Sequence, residues 1–306
     1  MALRKGEAAS PDCEDLSGLF RSRELPRAPE GWHAIGHDVL DEDAVCLICW
    51  DQPRSAINRY DPKVRTRLSR IAFDDEWESD VLEVDGWLGG WVGRWPDGTW
   101  FAQPVDGQGV VILEPDGSER TRFSVGSYYQ RLACTEDGLL WVSYHDQALR
   151  EIPPSNCGLV AFDQTGECVW SKGPFGLGIV DCYAMTPAGR DVWICPYTDF
   201  PIVQVRSAEV HVWSNEVRGA HAMAVVGPHV LLAGGYGDEG SQLVLLELVD
   251  RPALSSGDTV LVARSELPKA FGDRTSMLGV NGTLHVLGND AWHTLSIRDW
   301  VKQSRR

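Results

Sequence analysis

Turn signals punctuate this chain at near-regular intervals, and that spacing constrains the fold more than any other feature. PDG at 96–98, EDG at 136–138, PAG at 187–189, VGP at 226–228 and VNG at 280–282 each separate two runs rich in β-branched or aromatic residues. The runs after the turns are TWFAQP, LLWVSYHD, DVWICPYTD, HVLLAGGYGD and TLHVLGND, and DEDAVCLICWD opens the series. Their starts, near residues 44, 99, 139, 191, 229 and 283, lie roughly 48 residues apart on average, a period typical of propeller blades. A further strand follows each, as in VVILEPDG and GLVAFDQTG, and usually another, as in ERTRFSV and EVHVW. Six units of four short strands therefore predict an all-β, six-bladed β-propeller of antiparallel blades.

The last unit runs out of chain before its fourth strand, and the N-terminus supplies a replacement. LFRSRELPRA (19–28) resembles LVARSELPKA (261–270), the fourth strand and exit loop of the preceding unit. A strand within 19–28 is expected to complete the last blade and close the ring, removing sheet edges that would otherwise pair with other chains. The expected organisation is a flexible segment at 1–18, one propeller domain at 19–301 and a basic tail at 302–306. The acidic, tryptophan-containing stretch 74–88 is expected to be a connecting loop.

With the units aligned, EDGLLWVSYHD followed by GLVAFDQTGE shows Asp-Gly, apolar strand, Asp, loop, apolar strand and Asp-x-x-Gly. This pattern resembles the NHL-repeat and regucalcin-like lactonase propellers across about residues 19–301, at the level of architecture. The resemblance implies six blades and, for the lactonases, a calcium-type site of Glu, Asn and Asp side chains at the channel mouth, as hard oxygen ligands require.

The corresponding ring in this chain is different. Aligning the innermost strands as HAIG, WVGR, RLAC, YAMT, HAMA and SMLG places His33, Trp91, Arg131, Tyr183, His221 and Ser276 around the mouth, with Tyr129, Asp181 and Arg274 beside them. No carboxylate or amide stands in that ring, so no cofactor is expected. A softer divalent metal between the two histidines and Asp181 is the alternative. Arginines can clamp a carboxylate or phosphate and the aromatic faces suit a flat or apolar group, so the set points to a small organic anion. For an enzyme, a hydrolase or lyase, the candidate catalytic residues are His33, His221, Tyr183 and Arg131, with imidazole able to act as a base near neutral pH. The two classes carried forward are thus a binding module for a small molecule or a protein partner, and a propeller enzyme.

The aspartates Asp51, Asp146, Asp199, Asp238 and Asp290 end the second strand of five units and are expected to fix turns by accepting backbone N–H bonds. Cys46 and Cys49 in VCLICW have metal-like spacing, yet residues three apart in a strand face opposite ways, which argues against a shared zinc. The 28 basic and 44 acidic side chains give a formal charge of −16, which repels nucleic acid and anionic membranes. The N-terminus lacks the continuous apolar core of a secretory signal and no stretch approaches a membrane span, so a soluble, cytoplasmic monomer is expected.

Overall fold

The computed structural model describes residues 14–53, 64–75, 78–86, 88–104, 109–173, 176–251, 256–271, 276–288 and 290–305. Strand β1 (Arg21–Glu24) precedes a sheet of β2 (His33–Asp41), β3 (Ala44–Trp50), β4 (Arg65–Ala72) and β5 (Ser79–Asp85), antiparallel and in chain order. A second such sheet has β6 (Leu88–Arg94), β7 (Trp100–Pro104), β8 (Val110–Leu113) and β9 (Glu119–Phe123). The third has β10 (Tyr129–Cys134), β11 (Leu140–Tyr144), β12 (Leu159–Phe162) and β13 (Cys168–Ser171).

Next come two antiparallel runs, β14 (Asp181–Ala188), β15 (Asp191–Tyr197), β16 (Ile202–Arg206) and β17 (Glu209–Ser214), then β18 (Ala222–Val226), β19 (His229–Ala233), β20 (Gln242–Asp250) and β21 (Ser256–Glu266). A short parallel ladder between β17 and β21, from Val212–Ser256 to Ser214–Asp258, joins these runs into one eight-stranded sheet. Trp213 Nε1 donates to Asp250 Oδ1 at 3.0 Å across the join. The last sheet has β22 (Ser276–Val280), β23 (Thr283–Leu287) and β24 (Ala291–Ser296), with β1 as its outer strand. The innermost strands β2, β6, β10, β14, β18 and β22 touch in chain order and β22 returns to β2. The architecture is an all-β propeller.

Every residue of β3, AVCLICW, is buried, as a strand covered on both faces demands. Val45, Leu47 and Cys49 pack toward Trp292, whereas Cys46 and Ile48 pack toward Leu68, Leu82 and Trp100. The two thiols therefore lie on opposite faces of one strand.

Ring closure follows the N-terminal reading. β1 pairs with β24 from Arg21–Thr294 to Glu24–Ala291, and Arg23 donates to the carbonyls of Ala72, Phe73 and Asp75, tying the last sheet to the first. The segment expected to be flexible is in part built in. Glu14 N–H bonds Arg264 O at 2.9 Å, and Leu16 is buried; residues 1–13 lie outside the described set.

Three expectations are corrected. Residues 297–304 form a helix, α1 (Ile297–Ser304), instead of ending in a loose basic tail. Ile297, Trp300 and Val301 fall on one helical face, the first two fully buried, and Trp300 Nε1 donates to Glu14 Oε2 at 2.7 Å. The acidic stretch 74–88 contains strand β5, because Leu82 and Val84 alternate with charged residues and pack inward while Glu78 and Glu83 pair with Arg67.

The third concerns the aspartates. Of the five at strand ends, Asp51 accepts a backbone N–H through its carboxylate, from Arg65 at 3.0 Å. Asp146 and Asp238 sit in short 3-10 turns, Asp199 is left-handed at φ 60°, and Asp290 offers its backbone carbonyl to Leu25. The recurring turn device lies on the hairpin face instead. Asp97, Asp116 and Asp163 each accept both the N–H and the hydroxyl of the residue two ahead, Thr99, Ser118 and Thr165. A glycine next to each of the first two pairs and after the third takes the positive φ of the turn, at 92°, 90° and 87°.

Helix α1 and the last sheet each set a stability that can be measured. Trp300→Ala should lower the unfolding free energy in urea by about 3–5 kcal/mol, the usual cost of emptying a buried aromatic site. His285 is fully buried, accepts the Trp292 indole N–H at Nδ1 (3.0 Å), and is pushed down to about 3 by burial. The unfolded chain therefore takes up this proton first, from about pH 6.5 downward. Stability is complete above that pH and should fall as acid is added toward pH 3, with a slope of up to about 1.4 kcal/mol per pH unit from this group. His285→Gln should flatten the urea midpoint against pH.

Candidate functional site

The inner strands start on one face of the disc and end at tight hairpins on the other. The starting face also carries the longer connections, including the 3-10 turns Asp146–Arg150 and Gly237–Ser241. Loops on a rigid frame are where recognition groups concentrate. Four inner strands break register on this face: β2 between Ala34 and Gly36, β6 between Leu88 and Val92, β10 between Tyr129 and Arg131, and β14 between Cys182 and Ala184. A bulge redirects the side chain it carries, so Trp91, Arg131 and Tyr183 are each aimed by a local irregularity.

Arg131 reaches across the channel mouth. Its guanidinium lies 5.0 Å from the centre of the Trp91 ring, and its Nη2 donates to the carbonyl of His221 at 3.2 Å. Beyond it rises an aromatic wall: Tyr183 stacks on Tyr197 with centroids 6.1 Å apart and meets Tyr236 edge-on at 6.0 Å, over buried Phe200. Tyr197 and Tyr236 are exposed. Gly219, at φ 71°, lets Tyr236 lie flat, since a Cβ there would meet the ring at 2.9 Å. The Tyr236 phenol is pushed upward, by burial first and then by its hydrogen bond with Tyr183.

On the other side of Tyr183, Asp181 faces His145, with Nδ1 and Oδ1 3.7 Å apart. Asp181 Oδ1 is buried without a hydrogen-bond partner, and burial raises the carboxyl above its usual range, against the opposing pull of His145. Gln130 braces this corner by accepting the Cys182 N–H at 3.1 Å.

Of the sequence-derived set, the structure brings Arg131 against the Trp91 ring and the His221 carbonyl, sets Tyr183 in the tyrosine cluster and faces Asp181 to His145. His33 and Ser276 stand exposed at the rim. Tyr129 turns away, half-buried against the core cluster that holds Val125 and Tyr144, with its hydroxyl 3.4 Å from Gly109 O. Arg274 lies outside the described residues. Sequence reasoning missed His145, Tyr197 and Tyr236 as site residues. Their signal was present, for each stands one or two places before a strand-end aspartate, in YHD, PYTD and GYGD. Among the described residues no group of three His, Cys, Asp or Glu side chains is arranged to hold a metal. Nor is any described helix long and apolar enough to cross a membrane.

Neither a family model nor a curated protein matches the sequence. Solved structures do match. Virginiamycin B lyase from Staphylococcus aureus aligns with a TM-score of 0.52 at 13% identity, over 90% of this chain and 99% of that one. A putative exported protein from Bacteroides fragilis gives 0.55 at 10%, over 95% and 97%. Hsv2 from Kluyveromyces lactis gives 0.53 at 11%, over 84% and 72%. The chain shares their propeller fold. Identities this low carry the fold and nothing about the site, since propellers host unrelated activities.

Asp181 bears a cost that a purely structural residue would shed. Its raised carboxyl means that the folded state disfavours the charged form, a penalty absent below about pH 3.8 and growing as pH rises through the folded value. Asp181→Asn should raise the melting temperature by a degree or two at pH 7 and leave it unchanged at pH 3, measured by differential scanning calorimetry.

Proposed function

We propose that this protein is a six-bladed propeller, counting each antiparallel half of the eight-stranded sheet as one blade, that binds a small organic anion with a flat aromatic part at the channel mouth. One observation carries this reading: the Arg131 guanidinium lies over the Trp91 ring and bonds the His221 carbonyl on the same face of the disc as the exposed Tyr197 and Tyr236. Its one hydrogen bond goes to a neutral backbone carbonyl and leaves the guanidinium charge without an anion, whereas a carboxylate would give an ion pair with two parallel contacts. The ring faces of Tyr197 and Tyr236 offer stacking area with few rotatable bonds to freeze. Saturation-transfer NMR against a panel of aromatic carboxylates, including benzoate and indole-3-acetate, tests it. Binders should lose at least tenfold in affinity with Arg131→Met and with Tyr236→Ala. A panel without binders, or binders indifferent to both changes, refutes the reading.

A second reading, a hydrolase or lyase, is favoured by the His145–Asp181 pair. A shift of under 1 Å would let Nδ1–H donate to the orphaned Oδ1, leaving Nε2 as a base at the exposed side of the imidazole. On any substrate found, His145→Gln should then depress kcat with KM little changed, while Asp181→Asn shifts the pH–rate profile.

A further inference from the structure

Five inner strands end around one cavity on the hairpin face, on the side of the disc away from the candidate site. It measures about 200 Å³ and lies among Asp41 of β2, Arg94 of β6 with Trp95 just beyond it, Cys134 of β10, Pro187 of β14 and Val280 of β22. Its rim is laced by hydrogen bonds: Glu136 N–H donates to Gly189 O at 2.9 Å, and Gly189 N–H to Asn281 Oδ1 at 3.1 Å. The walls are therefore fixed before any ligand arrives.

Two N–H donors of the lining residues are unspent. Trp95 is 1% exposed, and its Nε1 is buried with no hydrogen-bond partner among the described residues; Arg94 Nε is in the same position. Other buried indoles of this fold are satisfied, since Trp50 donates to Leu88 O at 3.0 Å and Trp141 to Thr135 Oγ1 at 3.2 Å. A buried N–H without an acceptor is costly, so two beside one cavity point to an acceptor that the chain itself does not supply. The rim also offers an acceptor, for the exposed Glu136 carboxylate has neither an ion pair nor a hydrogen bond among the described residues. Charge is otherwise balanced: Arg70 pairs with Asp41 at 3.1 Å and Arg94 with Asp80 at 3.2 Å. An anion would face Glu136 and find both arginines engaged, in a protein of formal charge −16, and a cation would face two guanidinium groups.

We propose that this cavity is a second binding site, for a neutral hexopyranose. Hydroxyl groups both accept and donate, so they match a lining that presents free N–H donors together with a free carboxylate. Ring hydroxyl oxygens take the Trp95 and Arg94 N–H groups, and a hydroxyl donates to Glu136. Leu40, Pro96, Pro187 and Val280 supply an apolar strip for the C–H face of the sugar. The volume falls below the roughly 300 Å³ at which pockets for drug-sized ligands begin, so one ring is enclosed and a second would stand in solvent. This site is independent of the one at the channel mouth.

Saturation-transfer NMR of the full chain with the methyl pyranosides of glucose, galactose and mannose tests the site. At least one should bind with a dissociation constant in the millimolar range or below, and glucuronate, which adds a negative charge, should bind more weakly than glucose. Glu136→Ala, a change at an exposed side chain, should weaken binding about fivefold or more, and Trp95→Phe, which keeps a buried ring and removes the N–H, about tenfold. Because Trp95 belongs to the core, Val280→Phe, which fills the cavity and keeps every polar group, should abolish binding as well. No transfer to any of the three glycosides, or binding that survives both Glu136→Ala and Val280→Phe, overturns the proposal. Aromatic carboxylates at the mouth should be indifferent to these changes, so failure at either site is read separately.

Discussion

Two-sided burial governs this molecule. A sheet whose central strand is apolar on both faces, as β3 is, has no solvent side and must lie between two neighbours. Each neighbour has the same requirement. A row of such sheets leaves one uncovered face at each end, and the requirement is met when the row bends into a ring. The β1–β24 ladder and the Arg23 bonds to the first sheet are what make the ring complete. The channel, the mouth and the direction of every inner strand follow from that closure.

The two faces of the ring then diverge in character. The hairpin face is tightened by short Asx turns and laced across the axis: Glu136 N–H to Gly189 O, Gly189 N–H to Asn281 Oδ1, and Asn281 Nδ2 to Glu42 Oε2. Thr186 Oγ1 bonds Gly279 O at 2.6 Å, drawing β14 against β22 past β18. This rigidity frees the opposite face to carry bulges, 3-10 turns and unsatisfied groups such as Asp181 Oδ1.

Much of the architecture was legible because it rests on local, repeated signals. Turn residues recur with a fixed period, apolar runs mark strands buried on both faces, and the match between 19–28 and 261–270 placed β1. The role of residues 297–304 was harder to read, for eight residues of helix declare themselves through the tertiary burial of Trp300 and its bond to Glu14. Strand alignment put Arg131, Tyr183 and His221 near the starts of inner strands, and β10, β14 and β18 do begin beside them. It could not show that Tyr129 turns away, because the bulge at Gln130 reverses the alternation a plain strand would impose. Nor could it show that Asp38 is buried with its oxygens on the Val39 and Val92 N–H groups, which depends on how closely β2 and β6 stand.

Ring closure by β1 also sets an order of events during synthesis. β1 has its partner in β24, about 270 residues later, so it must wait unpaired until the strands between them have been made. Its sequence, RSRE, suits that wait: two arginines, a serine and a glutamate give it little tendency to collapse or to pair with the wrong edge. The β1–β24 ladder and the Glu14–Trp300 bond can form only after residue 300 has been made, which makes this seam the last part of the ring to assemble.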